Sequence, residues 1–114
     1  MFMDIALRRA KMLRDWRAWA QRVAAAAREL LPGAEVYVIG SVVRGDQVGG
    51  SDVDILVVSQ SAPRKAVEKA KIKALIEEKL ELLPHHPFEI HLLTPQEAQP
   101  YMKRAREHIE KIQQ

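Results

Sequence analysis

The sequence predicts one α/β domain of the α+β kind, with a small β-sheet and helices mainly on one face. Three observations predict this fold. A long stretch with helical periodicity precedes two short apolar runs, a glycine-containing turn separates those runs, and a third, alternating run follows another helical stretch. Helices packed mainly on one face leave the other face partly open. The chain has 114 residues and neither repeat nor linker, so residues 1–114 are expected to form one domain.

The first predicted helix runs from Asp4 to Leu31 and ends at Pro32-Gly33. Its apolar residues recur close to every 3.6 positions, which is typical of a helix with one buried face. At 1.5 Å per residue it would be roughly 40 Å long, so its first turns are free to project beyond a small domain. Trp16 and Trp19 lie on the apolar stripe, where they either anchor the core or dock a partner.

The next segments are two strands joined by turns. Their apolar residues are dense enough for buried strands, and glycines mark the turns between them. In chain order the predicted segments are the strand Glu35–Ile39, a short helical turn opened by Gly40-Ser41 and running from Val42 to Gly45, a tight turn at Asp46–Ser51, and the strand Asp52–Val58.

Two helices and a third strand are expected in the rest of the chain. The predicted segments are a helix from Ser61 to about Leu83 with Ser59 or Ser61 as its cap, the strand Phe88–Leu93, and a final helix from Tyr101 to Lys111. Thr94 and Glu97 have the spacing of a capping box. Pro100 is expected to separate a short turn from the final helix, because proline disrupts a helix interior.

Composition excludes several classes of function. The chain has no cysteine, which rules out thiol catalysis and zinc–thiolate sites and fits a reducing cytosol. No apolar run is long enough to span a membrane, and the N-terminus does not have the pattern of a signal peptide, so a cytoplasmic location is expected. The net charge of +3 is spread over helical segments, so it indicates either solvated helix faces or a surface that attracts an anionic partner.

Three acidic residues are the candidates for catalysis. Asp52 and Asp54 are two positions apart on a strand, so their side chains project from the same face. Two close carboxylates repel each other unless a cation lies between them, and Mg²⁺ prefers carboxylate oxygen. Glu89 lies in the middle of an apolar strand and joins the two aspartates if the third strand pairs beside the second. Two metal ions about 3.5–4 Å apart can then support a phosphoryl displacement.

Three histidines are weaker candidates. His91 shares a strand face with Glu89, so it is either the rival third ligand, a neighbour that hydrogen-bonds the site, or a half-buried strand residue. His85 and His86 lie between prolines and are expected to be loop residues rather than metal ligands.

Gly40, Ser41 and Arg44 are the candidates for phosphate binding. Glycine allows close approach of the backbone to a ligand, and the N–H groups that begin a helical turn suit a phosphate. The Ser41 hydroxyl adds a donor, and the Arg44 guanidinium can bind a phosphate oxygen through two N–H groups. Taken separately, a Gly-Ser pair before a helix is usually a cap and an arginine is usually a surface cation. The hypothesis of a phosphate site therefore depends on the spacing of these residues and the acidic residues taken together.

The spacing resembles a known signature. Gly40-Ser41, ten intervening residues and Asp52-Val53-Asp54 are similar to the motif of the nucleotidyltransferase superfamily with the DNA polymerase beta-like catalytic fold. The match extends through residues 40–45 and 51–57, and the resemblance covers about Val36 to Leu93. The chain is most similar to the minimal nucleotidyltransferases, which are often paired with a separate helical HEPN protein.

The resemblance implies a mixed sheet whose core strands follow one another in sequential order. It implies that Asp52 and Asp54 bind magnesium, with two ions expected, and that Gly40 and Ser41 hold the triphosphate of ATP or another NTP. The third acidic position falls on Glu89, although that part of the match is looser.

The implied activity is transfer of a nucleoside monophosphate, AMP from ATP, to a hydroxyl. For HEPN-paired members the implied acceptor is a tyrosine of the toxin partner, with this chain as the antitoxin. The alternative is a non-catalytic binding module that neutralises a helical partner, and a small alcohol is a weaker third acceptor because no acceptor-binding domain follows Glu89. Nucleic acid is a less favoured acceptor because no cluster of aromatic residues is evident. Base preference and self-association stay open.

Overall fold

The computed structural model describes residues 2–45 and 52–113, which form five helices around one four-stranded sheet. The elements are α1 (Phe2–Arg14), α2 (Trp16–Leu30), β1 (Glu35–Ile39), α3 (Ser41–Arg44), β2 (Val53–Val58), α4 (Ala66–Lys79), β3 (Phe88–Leu93), α5 (Pro95–Ala105) and β4 (Ile109–Ile112). The turn predicted at Asp46–Ser51 lies outside the described residues. Among the described residues, no helix is long and apolar enough to cross a bilayer.

The sheet is mixed and has the strand order β3-β2-β1-β4. β1 pairs antiparallel with both β2 and β4, and β2 pairs parallel with β3. The three predicted strands are therefore neighbours in sequential order, which confirms the predicted fold class. The parallel pair requires a crossover between β2 and β3, and α4 lies in that crossover.

The two faces of the sheet are covered differently. One face carries the main core, in which Val38, Ile55 and Phe88 pack with apolar residues of α2 and with Ile76 of α4. On the other face a smaller cluster joins residues of β2 and β3 to α5: Leu56, Val58, Leu93 and Ala98. Because α5 covers only part of this second face, polar side chains of β2 and β3 have room beside it.

The N-terminal helix predicted from Asp4 to Leu31 is two helices, so the prediction of one helix was wrong. The break is at Asp15, whose φ of −100° and ψ of 32° are not helical. Met12 and Leu13 pack against the core, which keeps the end of α1 on the body of the domain. Trp16 is buried and the Trp19 ring lies 6.2 Å from the Phe88 ring, so both tryptophans anchor the core.

The C-terminal segment was also predicted wrongly. α5 continues through Pro100 to Ala105, and residues Ile109–Ile112 form a strand instead of helix. Pro100 has no N–H to donate to the carbonyl of Gln96, four residues earlier in the helix. This is tolerated because Gln96 is exposed, so water can hydrogen-bond that carbonyl instead. Beyond α5, the open edge of β1 supplies backbone partners, and this tertiary pairing outweighs the local helical pattern.

The middle helix is shorter than predicted at both ends. The Ser59 side chain accepts a hydrogen bond from the Ser61 N–H at 3.0 Å, so Ser59 stabilises a turn after β2 and α4 begins only at Ala66. At the other end, Glu81 has a φ of 54° and the Leu82 N–H donates to the Glu77 carbonyl at 2.8 Å. That left-handed residue ends the helix before Leu83.

Candidate active site

Asp54 and Glu89 are direct neighbours across the parallel strands β2 and β3. Both side chains project from the face that α5 partly covers, because their strand neighbours Ile55 and Ile90 point into the main core. The strand pairing that the sequence hypothesis required is therefore present. Asp54 is half-buried and Glu89 is exposed, so ligands have access to both carboxylates.

His91 lies on the same face, two residues along β3 from Glu89. Its Nε2 is 3.1 Å from Asp54 Oδ1 and 3.9 Å from Glu89 Oε1. The Tyr101 ring of α5 lies 5.2 Å from the His91 ring, and the His91 side chain is only 19% exposed. α5 therefore shields the imidazole and holds it beside both acids.

Asp54, Glu89 and His91 fit a divalent cation. Among the described residues they form a group in which one ligand atom from each lies within 4.8 Å of the others. A six-coordinate ion with ligands at about 2.0–2.1 Å has neighbouring ligand atoms roughly 3 Å apart, so small rotations of these side chains would bring them around one ion. Two carboxylates and one imidazole are also a chemically suitable donor set.

The Gly40 turn lies on the other side of Asp54. Ile39, the last residue of β1, pairs with Asp54, so the chain turns into α3 directly beside this carboxylate. Gly40 has a φ of 98° and a ψ of −155°, a conformation that is essentially restricted to glycine. A Cβ added at Gly40 would lie 3.8 Å from Asp54 Oδ2, which shows how closely the backbone approaches the acid.

Some of the N–H groups of this turn already donate hydrogen bonds within the protein. The Gly40 N–H donates to the His108 carbonyl at 3.2 Å, and the Gly40 carbonyl accepts from the Val43 N–H at 3.2 Å. The first N–H groups of a helix have no acceptor within it, and here they belong to Ser41 and Val42. They follow Gly40, whose backbone approaches the Asp54 carboxylate closely.

Asp52 and Arg44 occupy more exposed positions. Asp52 Oδ1 accepts a hydrogen bond from Arg9 Nη2 at 2.7 Å, and Asp52 does not belong to the Asp54–Glu89–His91 group found among the described residues. Arg44 is exposed at the end of α3, where Gly45 with a φ of 87° ends the helix. The structure thus brings Asp54 and Glu89 together beside Gly40 and Ser41 and places Asp52 at the margin, in contact with α1.

Arg9 is the site contact that the sequence did not predict. It precedes Asp52 by 43 positions and is one of several cations on the first helix, so no local pattern distinguishes it. Burial does distinguish it in the structure: the Arg9 side chain is 21% exposed.

His85 and His86 are not part of the acidic group. His86 Nδ1 accepts a hydrogen bond from the Phe88 N–H at 3.1 Å, which leaves the proton on Nε2, 2.6 Å from Glu77 Oε2. His86 therefore ties the end of α4 to the start of β3, on which Glu89 lies.

The fold and this site define a class of protein: a small α/β domain in which an acidic group that fits a divalent cation lies beside a glycine turn. The model of the family "Nucleotidyltransferase domain" matches residues 20–112, which is most of the chain. The chain therefore belongs to the nucleotidyltransferase domain family, whose members are transferases. A comparison with curated proteins finds no match.

Solved structures show the same fold. A crystal structure of a protein proposed to be a nucleotidyltransferase is 28% identical, with a TM-score of 0.63 over 80% of this chain and 94% of the other. A toxin–antitoxin structure with AMP-PNP is 16% identical, with a TM-score of 0.57 over 81% and 70%. A complex of a tri-AMPylated HEPN toxin from Shewanella oneidensis with an MNT antitoxin is 13% identical, with a TM-score of 0.54 over 85% and 71%.

Proposed function

We propose that the chain is a metal-dependent enzyme that transfers AMP from ATP to a hydroxyl of a separate protein, a tyrosine of a helical HEPN-type toxin, and so acts as its antitoxin. The observation that carries the transferase chemistry is the position of Asp54 between the Gly40 turn and the Glu89–His91 pair. The fold similarity to toxin–antitoxin structures, one with AMP-PNP and one with an AMPylated HEPN toxin, supports the choice of nucleotide and partner.

The residues have complementary roles in this proposal. Asp54, Glu89 and Asp52 hold two Mg²⁺ ions, with His91 as a further ligand or a hydrogen-bonding neighbour. Bound Mg²⁺ supplies charge neutralisation at the phosphates. The N–H groups of Ser41 and Val42 bind the β- and γ-phosphates, and Arg44 at the end of α3 adds a cation beside them.

The reaction is a substitution at the α-phosphorus of ATP. The acceptor oxygen forms the new bond to phosphorus, the bond from that phosphorus to the β-phosphate oxygen breaks, and pyrophosphate leaves. In this proposal Glu89 takes the proton of the acceptor hydroxyl, and His91, on the same face of β3, is the alternative base.

The test uses two labels. The chain is incubated with the product of the neighbouring gene, Mg²⁺, and ATP labelled with ³²P at either the α- or the γ-phosphate. We expect transfer of the α-label alone to the partner, because AMP is the transferred group and the γ-phosphate leaves in pyrophosphate. Asp54→Asn should lose the transfer and keep the fold, whereas Asp4→Asn, the same change at an exposed position of α1, should keep both.

Each contrary result has a distinct meaning. A tight complex without label would support the alternative, a module that neutralises its partner by binding alone. Transfer of the γ-label would indicate a kinase. Full transfer by the Asp54→Asn protein would remove Asp54 from the catalytic group.

A further inference from the structure

Arg9 links α1 to the acidic site, although α1 precedes the residues that match the family model, 20–112. Among residues 4–11 of α1, Arg9 is the one that is half-buried while the others are exposed. Its Nη2 lies 2.7 Å from Asp52 Oδ1, and its side chain is 21% exposed against 53% for that of Asp52. The side chain of Arg9 is therefore folded onto the start of β2 and does not extend into solvent.

This contact competes with metal binding. Asp52 has two carboxylate oxygens, and one of them already accepts from a guanidinium. A divalent ion at this carboxylate would bring a second cation within a few ångströms of Arg9, and like charges at such distances repel. An ion that recruits Asp52 therefore binds more weakly while Arg9 stays in contact, and displacement of Arg9 relieves the repulsion.

The two ends of α1 differ in how firmly they are held. Asp15 has non-helical backbone angles, while the Asp15 N–H still donates to Lys11 and the Trp19 N–H to Asp15. Trp16 and the core residues of α2 are fixed by burial, whereas residues 4–8 of α1 are exposed. Because Met12 and Leu13 hold the end of α1 on the core, only the turns before them, together with the Arg9 side chain, can shift without disturbing it.

We propose that Arg9 is a positioning residue that holds Asp52 while the site is empty and is exchanged for the divalent ion when the site loads. This inference rests on the proposed function, because it takes Asp52 as a metal ligand. Arg9 thereby lowers the metal affinity of the site.

The test is a double-mutant cycle read by calorimetric titration of the metal-free 114-residue chain with MnCl₂. Arg9→Ala is expected to lower the Mn²⁺ Kd by roughly 2- to 5-fold, the scale of a partly exposed ion pair. In the Asp52→Asn background, Arg9→Ala is expected to leave the Kd unchanged, because the carboxylate that Arg9 holds is gone. Arg8→Ala, on the same helix and exposed, is the matched control and should leave the Kd unchanged.

Three results would overturn the inference. An equal effect of Arg9→Ala in both backgrounds would show that Arg9 acts as a distant charge. An unchanged or higher Kd in Arg9→Ala would show that Arg9 does not compete with the ion. If the wild-type chain bound no Mn²⁺, there would be no ion for Arg9 to be exchanged for. Arg9→Lys, which keeps the charge without the planar fork, should lie between wild type and alanine, and Arg9→Gln repeats the measurement if the alanine variant does not fold.

The two proposals can fail separately. Unchanged Kd values together with α-label transfer would refute only the proposed role of Arg9 and would leave the transferase proposal standing. The expected Kd changes without any transfer to an acceptor would refute the transferase assignment and leave the Arg9 exchange standing.

Discussion

The imidazole Nε2 of His91 lies 3.1 Å from Asp54 Oδ1, on a strand adjacent to that of the acid. The same nitrogen is 3.9 Å from Glu89 Oε1. One nitrogen atom therefore faces both carboxylates, and the tautomer determines whether it donates a hydrogen bond to them or joins them as a metal ligand. The two acids and the imidazole must be considered as one group.

Replacing Glu89 and His91 by glutamine should distinguish their roles through the choice of metal. Mg²⁺ prefers carboxylate oxygen, whereas imidazole suits Ni²⁺. We expect Glu89→Gln to weaken Mg²⁺ binding by about tenfold or more, and His91→Gln to weaken it less. For Ni²⁺ we expect the reverse, with His91→Gln weakening binding more than Glu89→Gln. Calorimetric titration of both variants with both ions gives the four dissociation constants that test this.

Equal losses for both metals in both variants would contradict this assignment, because they would mean that His91 only supports Asp54 through a hydrogen bond. Glu107→Gln is the control, since this side chain is exposed beyond the end of α5. It should bind either ion like the wild type.

Gly40→Ala should impair nucleotide binding beyond its effect on stability. Alanine at a φ of 98° is strained by about 1–3 kcal/mol, and its methyl group would lie beside Asp54 Oδ2. Gly33→Ala is the matched control, because Gly33 also has a positive φ of 83° but nothing lies within 4 Å of its added Cβ. Both variants should lose stability in urea denaturation, and only Gly40→Ala should lose affinity for ATP with Mg²⁺. Equal ATP affinity in the two variants would argue against phosphate binding at this turn.

The local patterns of the sequence predicted the sheet core well. β1 and β3 have the predicted bounds, and the predicted face with Phe88, Ile90 and Leu92 is the one that enters the main core. These strands are strongly apolar or alternate cleanly, so local sequence determines them. β4 could not be predicted in this way, because Ile109 and Ile112 are three positions apart and fit a helix as well as a strand. The unpaired edge of β1, a tertiary feature, decides between the two.

The site was predictable to a similar degree. Asp54 and Glu89 were expected on neighbouring strands, and the structure places them in register. The contact between Asp52 and Arg9 was not predictable, since it depends on the break at Asp15 that directs α1 toward β2. Asp15 interrupts the helix without the proline or glycine that usually marks such a break.

Ile112→Ala should show that β4 supports the Gly40 turn. Ile112 is buried in the main core, so its truncation should cost about 2 kcal/mol or more of unfolding free energy. The neighbouring change Gln113→Ala affects an exposed side chain and should be nearly neutral. Because the His108 carbonyl accepts from the Gly40 N–H, amide hydrogen exchange at Gly40 should also speed up in Ile112→Ala. Unchanged exchange at Gly40 would mean that the turn holds its shape without β4.

The capping box of α5 should make stability depend on acid pH. The Thr94 N–H donates to Glu97 Oε1 at 2.9 Å, and this bond, followed by that from the Lys69 ammonium, lowers the pKa of Glu97 below its ordinary value. A carboxyl whose pKa is lowered by folding stabilises the native state above its unfolded pKa, and that stability is lost as pH falls through the folded pKa. Glu35, whose pKa is also lowered, by hydrogen bonds from Lys111 and Tyr37, contributes in the same direction.

Glu97→Gln should therefore reduce the slope of unfolding free energy against pH in the acid range without abolishing it, because Glu35 still titrates. The measurement is urea denaturation at a series of pH values from neutral to about 3, below the ordinary carboxyl pKa values. Thr94→Ala should lower stability at neutral pH by about 1 kcal/mol through loss of the cap, and Thr94→Ser, which keeps the hydroxyl, should recover most of it. If Glu97→Gln and wild type lost stability in parallel as pH falls, the Thr94 and Lys69 contacts would not favour the charged carboxylate.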